Sequence, residues 1–270
     1  MKYALGNMLN GAGIQGLDPD AKAYIDAVVA AGASVSSPQK RAINNFVKGE
    51  KTGSRWTSLK RLYLPIWGVA APNAIDMISL SSGTFNGTVT HSSGFVAGDG
   101  STGYFSFSGT PFADSLLATS NFQFMLIKQA ETGVANSTQG TDNSFRFRRT
   151  AAATGVQTMI SGSTAICSAA ILRINQVGIF AASRIATQDH AQYQRLTSGF
   201  STLATDVVTS TTVAVPSVAY TAMAQGGSLG FFNAQQGAYG YGLGFSSANT
   251  SSFTLSLKTL WETCTGLTLP

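Results

Sequence analysis

The chain has 270 residues, 44% of them hydrophobic and only 11% charged, with a net charge of +5 at pH 7. That length buries a sizeable core without disulfide or metal help, and the aromatic content excludes a disordered chain. Two cysteines in no metal-ligand spacing and the lack of any apolar run of about 18 residues exclude a cysteine-built zinc site and a membrane-spanning helix. The charged share is less than half of the usual figure of about 25%, which suits a subunit covered by neighbours better than a free monomer.

The charge is not spread evenly. Residues 1–61 carry nine Lys or Arg against four acids, so the whole net charge of +5 resides there. Residues 1–17 contain four glycines and read as an extended N-terminal arm. Residues 18–65 read as a short helical attachment region. Asp18-Pro19-Asp20 sets a cap, a proline at the first helical position and an acid in the first turn. Tyr24, Ile25, Val28 and Val29 then share a face, and Gly32 stops the helix. Ser37-Pro38 opens a second helix with Ile43, Phe46 and Val47 inward, running to Gly49. A third short helix is expected from about Ser54 to Tyr63, with Trp56 and Leu59 inward. Lys40, Arg41, Lys48, Lys51, Arg55, Lys60 and Arg61 form the expected attachment surface of this region. They are too sparse for a nucleic-acid interface, so a docking surface for an acidic partner is the better reading.

Pro65 and Pro72 mark a change of regime. Residues 66–270 show alternation and short apolar runs broken by Gly, Ser, Thr and Asn, the pattern of many short strands. Strands are expected over Ala74–Leu80, Gly94–Ala97, Gly103–Ser108, Phe122–Gln129, Ser144–Arg148 and Gln157–Ser161. Further ones are expected over Gln176–Ser183, Ala191–Leu196, Val213–Val215, Ser228–Asn233 and Tyr239–Phe245. Strands of this length and spacing imply a mainly β fold, a sandwich or jelly roll. Gly237 to Phe245 alternates glycine with aromatics, which flattens one sheet face for close approach. Phe253, Leu257, Leu260 and Trp261 at helical spacing place a closing helix at about 250–264, capped by Ser251 or Ser252.

One stretch carries a resemblance. Val89-Thr-His-Ser-Ser-Gly-Phe-Val-Ala-Gly98 reads as a strand, Asp99-Gly-Ser-Thr-Gly103 as a turn, and Tyr104-Phe-Ser-Phe107 as an alternating strand. The "Thr-His-Ser…Gly" strand and the "Gly-Asp-Gly-Ser-Thr-Gly-Tyr" turn follow the short helices and the apolar proline-containing link. A hairpin around Ser183-Arg184 and the C-terminal helix come after them. This order of parts resembles structural proteins of tailed-bacteriophage virions that carry a laminin-G/concanavalin-like β-sandwich. The resemblance covers roughly Asp18 to Leu269. It implies a non-enzymatic virion protein, a capsid decoration, head-fibre or tail-associated protein, that acts through contacts with other virion proteins. It also implies a homo-oligomer, with a trimer among the options, and location in the virion. The opening ten residues lack the apolar stretch of a secretion signal, in keeping with synthesis in the host cytoplasm.

The residues themselves name no catalyst. Asp189 and His190 are adjacent on a strand and point to opposite faces, a poor base and orienter. No Gly-x-Ser-x-Gly elbow is present. No cofactor is expected. Laminin-G sandwiches often hold calcium at a rim, and Asp99 is the one residue to test for it. A carboxylate folded back on its own glycine turn is the alternative role. Phe145-Arg146-Phe147-Arg148-Arg149 is the sharpest cluster: with both Phe inward, Arg146 and Arg148 face out. Together with Arg149 they are candidates for gripping a carboxylate or phosphate, including an acidic glycan, or for protecting an edge strand. A second reading is therefore an adhesin that binds host-surface glycan. Tyr193, Tyr220, Tyr239 and Tyr241 are its candidate sugar-stacking aromatics, with core positions as the alternative. Cys167 and Cys264 read as buried thiols, with a disulfide left open.

Overall fold

The computed structural model describes residues 16–130, 137–141, 145–149, 156–160, 166–169, 176–186, 189–206, 214–224, 226–227, 230–231 and 233–270. Two helices come first. In α1 (Pro19–Ala30) the Asp18 carboxylate accepts from the Asp20 amide, and Tyr24, Ile25 and Val28 form the buried face. In α2 (Ser37–Thr52) Ser36 and Gln39 cap each other reciprocally, so Ser36 is the cap and Pro38 lies inside the first turn. This helix runs through Gly49 and stops at Gly53.

The strands are β1 (Leu59–Tyr63), β2 (Thr84–Asn86), β3 (Val89–Ser92), β4 (Phe95–Gly98), β5 (Tyr104–Ser106), β6 (Asn121–Gln129), β7 (Ser137–Gly140) and β8 (Phe145–Arg149). They continue as β9 (Val156–Ile160), β10 (Ile166–Ala169), β11 (Gly178–Ala186), β12 (Asp189–Leu196), β13 (Gly199–Asp206), β14 (Thr221–Ala222) and β15 (Gln235–Gly242). A one-turn helix α3 (Ala70–Asn73) lies in the first long connection, and α4 (Ser247–Thr265) closes the chain. The strands form two antiparallel sheets. The first has the order β13-β12-β11-β6-β15-β4-β3, with β1 also on β15; the second has the order β10-β9-β8-β7-β14-β5-β2. The expected mainly β sandwich with N-terminal helices and a C-terminal helix is the architecture observed.

The first sheet is buried on both faces. Phe122, Phe124 and Leu126 of β6 point to a core shared with Tyr24, Phe46, Phe253, Leu257 and Trp261 of the helices. Met125 and Ile127 point the other way, to Phe105, Phe107, Phe145, Phe147 and Tyr239 between the sheets. The period-two alternation of a strand sorts one apolar run into two cores. The molecule therefore has three layers: helices, first sheet, second sheet. The glycine-aromatic run of β15 serves this stacking. A Cβ on Gly237 would sit 2.3 Å from Trp261 Nε1, so only glycine lets α4 lie this close.

Several expectations are corrected. Residues 59–63 are not helical; they pair with Tyr239–Gly242 as β1, because β15 offers a free edge there and tertiary pairing overrides local spacing. Only Trp56–Ser58 forms a short 3-10 turn. Residues 74–80 form a turn with isolated bridges rather than a strand, since Asp76 binds the backbone of Ile78 and Ser79 locally. Residues 214–215 are not in a strand, and the described parts of 228–233 are not either. The closing helix starts earlier, with Ser246 as its cap. Strands β2, β7, β10, β13 and β14 were not expected.

Candidate functional site

The sequence-derived candidates scatter. Of the basic N-terminal residues, Arg55 and Arg61 are buried rather than on an attachment surface. Arg55 Nε bonds the fully buried Glu50 carboxylate at 2.6 Å, and Arg61 pairs with Asp76 and Asp114. Lys51 is spent on Asp18 and Asp20, and Lys48 donates to the Gly16 carbonyl. Arg41 is exposed, and Lys40 and Lys60 are half-buried. Arg41 lines a groove of about 510 Å³ between α2 and α4 with Pro38, Asn45, Phe46, Leu255 and Thr259.

On β8, Phe145 and Phe147 lie in the core as expected, but Arg146 is buried and not outward on a free surface. The side chains of Arg148 and Arg149 lie outside the described residues. Asp99 is exposed, and its Oδ1 accepts from the amides of Ser101, Thr102 and Gly103 at 2.9, 2.7 and 2.8 Å. Its Oδ2 accepts from the hydroxyls of Ser101 and Thr102. Those donors, the Thr102 amide above all, hold the carboxyl well below its ordinary pKa. They engage both oxygens, so the carboxylate clamps its own turn. Tyr193, Tyr220, Tyr239 and Tyr241 are all core residues, which removes them as sugar platforms. Asp189 is exposed and His190 buried, on opposite faces of β12. Cys264 is a free buried thiol, and Cys167 lies on β10 with its side chain outside the described residues.

A different cluster stands at one end of the sandwich, where β5, β11 and β15 finish and β6, β12 and β14 begin. Arg61 reaches from β1 into the gap between the sheets. Its Nε donates to Asp114 Oδ2 at 2.7 Å and its Nη2 to Asp114 Oδ1 at 2.6 Å, a bidentate pair. Nη1 meets Asp76 Oδ2 and the hydroxyls of Ser79, Ser81 and Ser108, at 2.7 to 3.1 Å. Tyr241 donates its hydroxyl to Asp114 Oδ2 at 2.6 Å. Asp76 also accepts from the amides of Leu62, Ile78 and Ser79. Gly109 permits the approach, because a Cβ there would fall 2.3 Å from Arg61 Nη2.

Burial works against the Arg61 charge, but Asp114 and Asp76 outweigh it and the pKa is raised. Burial pushes the Asp76 carboxyl up, and pushes Tyr63 up to about 12. The cluster thus holds two carboxyls against one guanidinium. Ser79 and Ser108 carry its hydroxyls to the surface.

Exposed apolar side chains occur on the connections at this end. Phe112 is 67% exposed, on the turn that also positions Asp114, and its amide bonds the Pro216 carbonyl. Leu117, Val218, Leu80 and Ile185 lie on the connections or strand termini of the same end, and all are exposed. Leu80 and Ser115 hold left-handed backbone at φ 60° and 59°, conformations that side chains other than glycine rarely adopt and that concentrate at functional loops. A polar, hydroxyl-bearing cluster with an exposed aromatic on one of its own turns is an arrangement for binding. The sequence reading missed Asp76, Asp114, Phe112 and the three serines. The signal was there in Gly109-Thr-Pro-Phe-Ala-Asp114, an aromatic inside a turn sequence where no core position is expected.

No protein-family model and no curated protein sequence matches the chain. Among solved structures, it is similar to a Trypanosoma rangeli sialidase with a TM-score of 0.54 at 8% identity, over 82% of this chain and 39% of that one. The same sialidase in complex with sialic acid gives a TM-score of 0.51 at 8% identity over the same shares. A Ruminococcus gnavus IT-sialidase CBM40 bound to alpha2,3 sialyllactose gives 0.37 at 11% identity, over 50% of this chain and 82% of that one. The chain spans well under half the length of the sialidase it matches. The sialidase likeness shows a shared β-sandwich fold.

Proposed function

We propose that this chain is a carbohydrate-binding β-sandwich of a tailed-phage virion that acts by contact and not by catalysis. The observation that carries the binding reading is the exposed Phe112 ring on the turn that seats Asp114 on Arg61, the guanidinium that also binds the hydroxyls of Ser79, Ser81 and Ser108. An aromatic face flanked by groups that both donate and accept hydrogen bonds matches a sugar ring, with its apolar face and its hydroxyl edge. The fold shared with a sialidase solved with sialic acid supports the reading by analogy. The virion assignment rests on the resemblance of Thr90-His-Ser92 and Gly98 to Tyr104 to phage structural proteins.

The test is binding of the purified chain to host cells and to their extracted surface polysaccharide, together with immunogold microscopy of intact virions. Saturable binding, with no release of reducing ends, and label on the particle are expected. Absence of binding removes the carbohydrate reading; unlabelled particles remove the virion assignment. A second role in subunit contact is favoured by the groove between α2 and α4, where Leu255 is exposed beside Arg41. It leads us to expect a homo-oligomer, a trimer by resemblance, in light scattering, weakened by Leu255→Asp.

A further inference from the structure

We propose that the ligand of the sandwich end is an uncharged sugar, and that the site rejects sialic acid and other carboxylated or sulfated sugars. This rests on the carbohydrate-binding reading and names its substrate class. Recognition of a carboxylate in a protein site ordinarily takes an arginine whose forked donors are free to meet it. Arg61 has no complete fork to offer. Nε and Nη2 are committed to Asp114, and Nη1 is ringed by Asp76 and three serine hydroxyls. Among the described residues the other arginines at this end, Arg146 and Arg184, are buried, and Arg184 Nε donates to the Ala186 carbonyl.

The cluster beneath this end therefore holds more carboxyl than guanidinium, two aspartates to one arginine. An anionic sugar placed there meets like charge and gains no paired cation, a combination that discriminates by repulsion as much as by attraction. A neutral sugar meets hydroxyls instead. Ser79, Ser81 and Ser108 form a chain with contacts of 2.5 and 2.7 Å; Ser79 donates to Asp76, and Ser108 also meets the Tyr63 hydroxyl, so a sugar hydroxyl would join an uncharged network already anchored at both ends. Phe112 supplies the apolar face. Its wide exposure means that it contributes nothing to the core and is free to cover a ligand.

The experiment is a glycan array carrying neutral, sialylated and sulfated glycans, probed with the full chain and with Phe112→Ala, both checked by near-UV circular dichroism. Binding to neutral glycans alone is expected. It should fall by about tenfold in Phe112→Ala and stay flat between about 50 mM and about 500 mM salt. Equal or stronger binding to sialylated or sulfated glycans, or binding that collapses with salt, overturns the charge inference while leaving the carbohydrate reading intact. Neutral binding unchanged in Phe112→Ala shows that this end is not the site and overturns the inference as well. Silence across the whole array overturns the carbohydrate reading itself.

Discussion

Arg61 and Asp114 meet as two parallel hydrogen bonds of 2.7 and 2.6 Å across 53 residues of sequence, and the pair joins β1 to the turn before β6. Removing one partner strands the other at low exposure. Arg61→Met leaves Asp76 and Asp114 facing each other without a counter-charge. We expect it to lower stability in urea denaturation by about 3 kcal/mol, the scale for breaking a buried pair. Asp114→Asn keeps the shape and a weaker hydrogen bond to Tyr241, so its loss should be smaller. Equal stability of Arg61→Met and wild type would mean that the cluster is not structural.

Trp261 should report on packing between α4 and the first sheet. Its Nε1 donates to the Gly94 carbonyl at 2.8 Å, in a buried setting. Gly237→Ala forces a methyl group into that indole, and overpacking of this kind costs about 1–3 kcal/mol. A lower melting temperature and a shifted tryptophan emission are the expected readouts. An unchanged spectrum would show that α4 moves aside freely.

Asp99 gives a pH test with a defined sign. Its folded pKa is depressed, so its contribution to stability is complete above the ordinary carboxylate value near 3.8 and is lost as pH falls through the lowered folded value. Asp99→Asn should therefore be less stable than wild type at neutral pH, and the gap should close in strong acid. Calcium should leave the melting temperature of both proteins unchanged. A calcium-dependent rise that Asp99→Asn abolishes would reinstate a metal site at this turn.

Cys264 lies on the inner face of α4, and burial pushes its thiol up to about 12. Alkylation followed by peptide mapping should find it untouched at neutral pH in the folded chain and fully modified in denaturant. Rapid labelling in the folded state would reveal that α4 opens on the timescale of the reaction.

The sequence displayed its regular parts more readily than its binding end. Phe122-Gln-Phe-Met-Leu-Ile127 is apolar nearly throughout, the pattern of a strand covered on both faces, and the caps of α1 and α2 stand in the sequence as Asp18-Pro19 and Ser36-Ser37-Pro38. Leu59–Tyr63 misled because its spacing fits a helix and only the open edge of β15 makes it a strand. Arg61 misled because basic residues are usually solvated; the carboxylates that bury it lie 15 and 53 positions away, beyond any local pattern. Phe112 passed unnoticed as one of 16 phenylalanines, since exposure is decided by the fold and not by the residue type.

The helical layer has a consequence for biogenesis. Phe46 of α2 packs against Phe253 of α4, and the Gln39 side chain donates to the Cys264 carbonyl 225 positions away. Until α4 leaves the ribosome, α1, α2 and the outward face of β6 have no lid over their shared oil. Contacts this remote close slowly, and the exposed phenylalanine wall is sticky while it waits. Yield in a recombinant host should therefore depend on chaperones and growth temperature, and a chain halted before Phe253 should be found in the insoluble fraction.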